Sequence, residues 1–240
     1  GGGGVRLCPL GAKRARWRGQ GKVLEGPVDL GLQQQVVTMW IGPKGAGKTS
    51  LLKRWHGIAR RNSGSLNWAC PMDEAQKRQG FVFQSPVMMR RSVIENIAYP
   101  LRLIGVSKIE ARRRALGWAE QVGLGHMLKQ QATMLSGGER QKLALARALI
   151  REPEVLFLDE PCASLDGRAT REIEEILTAA AAGGTRLIMS THNMGQAQRL
   201  ADEVIFVLHG KIHEFSQADK FFDAPETKQG RAFLRGDIVE

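Results

Sequence analysis

No stretch of the chain approaches the roughly 20 consecutive apolar residues that cross a bilayer, and no positively charged start leads into an apolar run of signal-peptide type. Any membrane role is therefore expected to work through a partner. Cysteine is scarce: Cys8, Cys70 and Cys162 are odd in number, far apart and free of CxxC spacing. Neither a disulfide framework nor a zinc site is indicated, and a reducing, cytoplasmic setting is expected. There is no internal repeat and no low-complexity tract beyond Gly1 to Gly4, from which nothing functional is read. With 42% hydrophobic and 25% charged residues, the composition excludes collagenous and disordered chains. A length of 240 residues suits one main core carrying an insertion rather than two independent domains.

What is abundant is positive charge. The chain holds 35 Lys and Arg against 24 Asp and Glu, a formal +11, with clusters at KRARWR (13–18), KRWHGIARR (53–61) and ARRRA (111–115). Nucleic-acid or acidic-lipid binding is one reading. Solvated helix faces around a polyanion site is the other, favoured because the clusters are dispersed and no nucleic-acid module accompanies them.

VVTMWI (36–41) is a continuous apolar run rich in strand formers, followed by Gly42-Pro43 and by TSLLKRWHGIA (49–59) with helical spacing. GFVF (80–83), VLFL (155–158), RLIM (186–189) and VIFVL (204–208) are further buried strands, with helices between the later ones. This alternation predicts an α/β fold with a parallel sheet covered by helices. Between Gln84 and Leu135 the pattern turns helical, with SKIEARRRALGWAEQVG as a charged helix, long enough for a packed insertion. The tail beyond Phe215, with FFDAPE and AFL, is read as one or two helices docking back.

GPKGAGKT fits G-x-x-x-x-G-K-[ST] in the context that motif requires, after a buried strand and opening a helix. Gly42, Pro43, Lys44, Gly45, Ala46 and Gly47 form a loop whose N–H groups can curl around phosphate. Lys48 can reach the β- and γ-phosphates, Thr49 offers a hydroxyl to Mg²⁺, and Ser50 at the helix start is expected to bind the nucleotide with them. VLFLDE places Asp159 and Glu160 at the carboxyl edge of the sheet, where parallel α/β folds hold ligands. Such an Asp can hold Mg²⁺ and such a Glu can deprotonate water, while a solvated strand terminus is the alternative for this piece alone. In LSGGERQKLALARALI (135–150), Ser136 is a good N-cap, and Gly137 and Gly138 allow N–H groups close to an anion. On its own it is either a second anion site or a capped helix without a ligand.

Taken in order, GPKGAGKT, FVFQ ending at Gln84, LSGGERQ, LFLDEP, SLD (164–166) and STH (190–192) resemble the nucleotide-binding subunit of an ATP-binding cassette (ABC) transporter over about residues 17–215. The resemblance implies a P-loop NTPase core with a mixed sheet, an N-terminal antiparallel β part and an inserted helical subdomain. It implies one domain over residues 5–240, with a core at about 15–84 and 151–215, helices at about 85–150 and a tail at 216–240. It implies ATP and Mg²⁺ as ligands, with Mg²⁺ on Thr49, Gln84 and Asp159. Glu160 becomes the catalytic base, His192 a γ-phosphate contact alongside Lys48, and Asp166 a communicator across a dimer. Ser136, Gly137, Gly138 and Glu139 would face ATP held by a second subunit. Trp17 is the best match for an adenine-stacking aromatic, a packing role being the other reading.

Lys44, Cys162 and Asn193 depart from the family's common small polar residue, Thr and Asp, and none removes a catalytic group. FVFQSPVMMRRSVIENIAYPLRLIGV and STHNMGQAQRLADEV look most like bacterial importer ATPases of the tungstate type, with phosphate and polar amino-acid importers close behind. Exporter or lipid-handling ATPases are the nearest alternative, and a soluble ATPase acting on DNA or ribosomes has only the charge in its favour. The expected partners are a second copy of the chain, integral-membrane permease subunits and, indirectly, a solute-binding protein, with no nucleic acid. The expected place is the cytoplasmic face of the inner membrane. Met88 and Met89 either fill a pocket of the membrane partner adaptably or belong to the core.

Overall fold

Strands buried on both faces need apolar side chains at successive positions, and the apolar runs form such a sheet. The computed structural model describes residues 18–19, 22–23, 37–61 and 79–239. A short antiparallel ribbon pairs β1 (Arg18–Gly19) with β2 (Lys22–Val23). The main sheet has the order β4-β5-β6-β3-β7-β8, with β3 at Val37–Ile41, β4 at Gln79–Val82, β5 at Val155–Asp159, β6 at Arg186–Ser190, β7 at Glu203–Leu208 and β8 at Lys211–Gln217. The first five strands in that order are parallel, and β8 joins β7 antiparallel. Trp17, Cys8 and Cys70 lie outside the described residues, and Cys162 is a free thiol.

Side-chain alternation divides the sheet's residues between two cores. Val37, Met39, Ile41, Leu156, Leu158, Val204 and Phe206 point to one face, where they pack with α4 (Gly137–Leu149), α5 (Gly167–Ala182) and α7 (Ala218–Asp223) through Leu145, Ile173, Leu177 and Phe221. Trp40, Phe157, Ile188, Ile205 and Val207 point to the other, under Leu51 and Leu52 of α1 (Lys48–Arg61). The remaining helices are α2 (Val93–Leu103), α3 (Lys108–Gln121), α6 (Met194–Leu200) and α8 (Lys228–Leu234).

A third cluster belongs to the helical insertion. Val93, Ile97 and Leu101 of α2 meet Ala111, Ala115 and Ala119 of α3, whose four-residue spacing puts small side chains in one ridge and lets the helices approach. Helix α4 serves two cores, giving Leu143 and Ala146, with Ile150 at its C-cap, to this cluster and Ala144, Leu145 and Leu149 to the sheet. Burying each such leucine contributes about 1.5–3 kcal/mol, so α4 is held firmly against both. Met88 is half-buried against both clusters.

One expectation needs adjusting, and one cluster takes the form expected of it. The end of the chain carries the two helices α7 and α8, but an edge strand, β8, precedes them that the apolar pattern did not show. Its inward positions include the buried polar residues Glu214 and Ser216, which erase the hydropathy signal. The ARRRA cluster is a solvated helix face, with Arg113 and Arg114 both paired to Glu110 at 2.6 and 3.1 Å.

Candidate functional site

The phosphate loop starts where β3 ends. Gly42 lies against β7 so closely that a Cβ there would collide with the Val207 carbonyl oxygen, which leaves glycine as the residue that fits. Inside the loop the Ala46 N–H donates to Pro43 O at 3.0 Å. The two-residue turn between β7 and β8, His209 and Gly210 with φ of 51° and 71°, has the left-handed conformation of tight hairpins. The Gly210 N–H of that turn donates to Ala46 O at 2.7 Å, pinning the loop from outside.

Lys48 folds back over this loop. It is 6% exposed, and its Nζ donates to Gly42 O at 2.7 Å and Pro43 O at 3.2 Å. Burial pushes its pKa below the ordinary lysine value, while the charges of Glu160 and Asp159 oppose that shift. A desolvated ammonium at the end of a glycine-rich loop that opens a helix is strongly disposed toward an anion. Lys44 and Ser50 are exposed on either side.

Thr49 Oγ1 donates to Asp159 Oδ1 at 3.0 Å. The register of β5 against β6 sets Asp159 opposite Ser190, and Ser190 Oγ donates to the same Oδ1 at 3.0 Å. Ser190 Oγ also accepts from the Glu160 N–H at 3.0 Å. Glu160 has φ of 43°, a left-handed conformation uncommon for a residue with a Cβ and often found where function requires it. Its Oε1 lies 3.0 Å from His192 Nδ1, with Glu160 18% and His192 62% exposed at the side chain. The Thr191 N–H donates to Trp40 O at 3.1 Å, and Asn193 caps α6, so the chain on both sides of His192 is fixed.

Thr49 and Asp159 form a hard-oxygen pair suited to Mg²⁺, which keeps several ligands from water and substrate phosphates. Among the described residues no group of three or more His, Cys, Asp or Glu could hold a metal, so a cation here would depend on nucleotide oxygens. Gln84 is exposed two residues beyond Val82, whose register partner Leu158 stands two residues before Glu160. It therefore emerges at the same sheet edge as Asp159 and Glu160.

The second helix start forms a separate face. Ser136 caps α4 by accepting from the Glu139 N–H at 3.3 Å, and the Glu139 carboxylate accepts from the Ser136 N–H at 2.9 Å. Both residues are thus committed to a capping box, and none of these bonds reaches the phosphate loop. Gly138 abuts α5, where a Cβ would come within 2.9 Å of Ala169 Cβ. Asp166 caps α5 by accepting from the Ala169 N–H at 2.8 Å. The two helix N-termini consequently lie together, with Ser136, Gly137 and Asp166 exposed.

Sequence reading missed Ser190 as the link between Asp159 and Glu160, and Gln141, a buried amide of α4. The available signal was a polar residue at the end of an apolar strand and another four residues before Leu145 on a core-facing stripe.

A family profile described as ABC transporter matches residues 26–163, more than half of the chain. The chain belongs to the ABC transporter family. This ABC ATPase is 39% identical over 188 residues to the tungstate uptake system ATP-binding protein TupC of Peptoclostridium acidaminophilum, covering 78% of this chain and 86% of that one. It resembles the solved structure of CbiO1 from Clostridium perfringens, part of the ABC transporter complex CbiONQ, with a TM-score of 0.74 and 24% identity over 92% of each chain; that likeness supports the fold. The chain is an ATP-binding subunit of an ABC transporter and an ATP hydrolase coupled to transport. Among the described residues no helix is long and apolar enough to cross a membrane.

Proposed function

We propose that this subunit powers import of tungstate or a related oxyanion, acting as a homodimer at the cytoplasmic face of the membrane on integral permease subunits supplied by a solute-binding protein. The observation that carries the substrate is the 39% identity to TupC over most of both chains. The helical insertion, about residues 85–150, with the exposed Val87 at its start, is the part offered to the permease. The ATPase does not itself touch the solute.

In this reading the phosphate loop and Lys48 hold the β- and γ-phosphates of ATP. Thr49, Asp159 and Gln84 would hold Mg²⁺, which when bound neutralises phosphate charge. Glu160 accepts a proton from water as its oxygen bonds to the γ-phosphorus, and the bond from that phosphorus to the β,γ-bridging oxygen breaks toward ADP. His192, beside Glu160 at 3.0 Å, contacts the γ-phosphate and orients the carboxylate. Little covalent chemistry is asked of the protein: positioning and charge stabilisation carry the rate.

The test is ATPase activity of the complex reconstituted with its permease and binding protein in proteoliposomes, titrated with tungstate, molybdate, sulfate, phosphate and amino acids. Tungstate or molybdate is expected to stimulate, and stimulation by amino acids alone would overturn the oxyanion reading. In the same assay Glu160→Gln should bind ATP normally and lose roughly 10²- to 10⁴-fold in rate. Turnover within a few-fold of wild type would remove Glu160 from the base role.

A further inference from the structure

Gln141 stands on the core-facing stripe of α4, four and eight residues before Leu145 and Leu149, and is 2% exposed. A leucine there would continue the stripe. The amide instead donates through Nε2 to Pro161 O at 2.9 Å and Phe83 O at 3.3 Å. Two carbonyl acceptors facing one side chain fix the amide's orientation, because only the NH₂ group can serve both. Its Oε1 is buried without a hydrogen-bond partner, so the residue tolerates an unmet acceptor in order to make these two bonds.

The two carbonyls belong to the two segments that matter. Phe83 O lies in the peptide that leads into Gln84, and Pro161 immediately follows Glu160. Six residues further along α4, Arg147 donates to Val87 O at 2.8 Å and approaches Asn96 Oδ1 at 3.4 Å. Asn96 in turn accepts from the Met89 N–H at 3.1 Å. The loop after β4 is thus gripped at both ends from one helix, and at its first end the same amide also holds the segment behind Glu160.

We propose that Gln141 is a positioning residue that sets the loop carrying Gln84 against Glu160, so that the helix opened by Ser136 holds the hydrolytic groups in register. This rests on the roles proposed for Gln84 and Glu160. The phosphate loop makes no hydrogen bond with Gln141, so nucleotide binding and hydrolysis should respond differently to its loss.

The experiment uses the reconstituted complex with Gln141→Met, which keeps the volume, and Gln141→Glu, which keeps the shape but turns a carboxylate toward two carbonyls. Gln141→Met should retain the wild-type melting temperature within a few degrees, whereas Gln141→Glu, which buries a carboxylate against two carbonyls, should melt lower. In both, ATP affinity should stay within about twofold while kcat falls roughly ten- to a hundredfold, as small misplacements of reacting groups do. Because Gln141 acts through Glu160, adding Gln141→Met to Glu160→Gln should cost nothing further in single-turnover hydrolysis. A kcat within twofold of wild type, multiplicative losses in the double variant, ATP affinity falling in step with rate, or failure of both variants to fold would each overturn the proposal. If Glu160→Gln itself hydrolyses normally, the base assignment fails and takes the proposal with it. If Glu160→Gln is inactive while Gln141→Met is active, the positioning role alone fails.

Discussion

At the scale of single residues, the site depends on how few atoms connect its parts. Asp159 Oδ1 receives two hydroxyls at 3.0 Å, from Thr49 and from Ser190. Ser190 is wholly buried and also takes the N–H of Glu160, whose φ is 43°. Ser190→Ala removes the acceptor for a buried N–H and one donor to a buried carboxylate, an arrangement that costs about 1–3 kcal/mol. The variant is expected to unfold at lower denaturant concentration by that amount in the isolated chain and to lose hydrolysis in the complex. Ser190→Thr, which keeps the hydroxyl, should recover most of both. Equal stability of Ser190→Ala and wild type in urea unfolding would contradict the bonding just described.

At the scale of elements, β8 and the tail show what a hydropathy pattern cannot carry. The Glu214 carboxylate is buried in β8 and accepts from Thr227 Oγ1 at 2.6 Å, Thr227 N–H at 2.9 Å, Glu226 N–H at 3.0 Å and Ser216 Oγ at 3.3 Å. It ties the start of α8 to the sheet. Burial raises its pKa, but the bonds from Thr227, Glu226 and Ser216 together outweigh it, and the carboxyl lies below its ordinary value. A carboxylate whose folded value is depressed stabilises the fold above its unfolded pKa, and that contribution is lost as pH falls through the folded value. Glu214→Gln should therefore lower stability by about 1–3 kcal/mol near neutrality, with the gap to wild type closing as pH drops below the unfolded glutamate value of about 4.3. Thermal unfolding followed across that pH range checks it; a gap independent of pH would remove the ionised carboxylate from the latch.

The same contrast explains what was legible. Strands β3, β5, β6 and β7 are readable as apolar runs because both faces are covered. Strand β8 is not, because Glu214 and Ser216 replace apolar residues inward, Ser216 donating to Glu214 and Glu214 accepting from a segment a dozen residues away. The groups of the phosphate loop are readable because their chemistry is local: a strand, a loop and a helix start within one short stretch. The links made by Ser190 and Gln141 join residues 20 to 58 positions apart, and nothing in a local pattern specifies which carbonyl a buried amide will find.

At the scale of the whole molecule, the chain carries two helix N-termini suited to anions, and the fold keeps their functions apart. Lys48 is buried over the phosphate loop, whereas Ser136 and Gly137 are exposed beside Asp166, and the Ser136 and Asp166 side chains spend their bonds on caps. An exposed, glycine-led start can approach an anion held by another copy of the chain, as the proposed homodimer requires. If each nucleotide lies between the phosphate loop of one subunit and Ser136 of its partner, Ser136→Arg spoils the partner's site and Lys48→Ala spoils the subunit's own. Either homodimer then has no intact site. A mixed dimer, isolated through two different affinity tags, concentrates both lesions in one site and leaves the other whole, so it should bind and hydrolyse ATP at one site per dimer where both parents fail. Two active sites in the mixed dimer would show that neither substitution damages its site. None would show that both helix starts serve the nucleotide of their own chain.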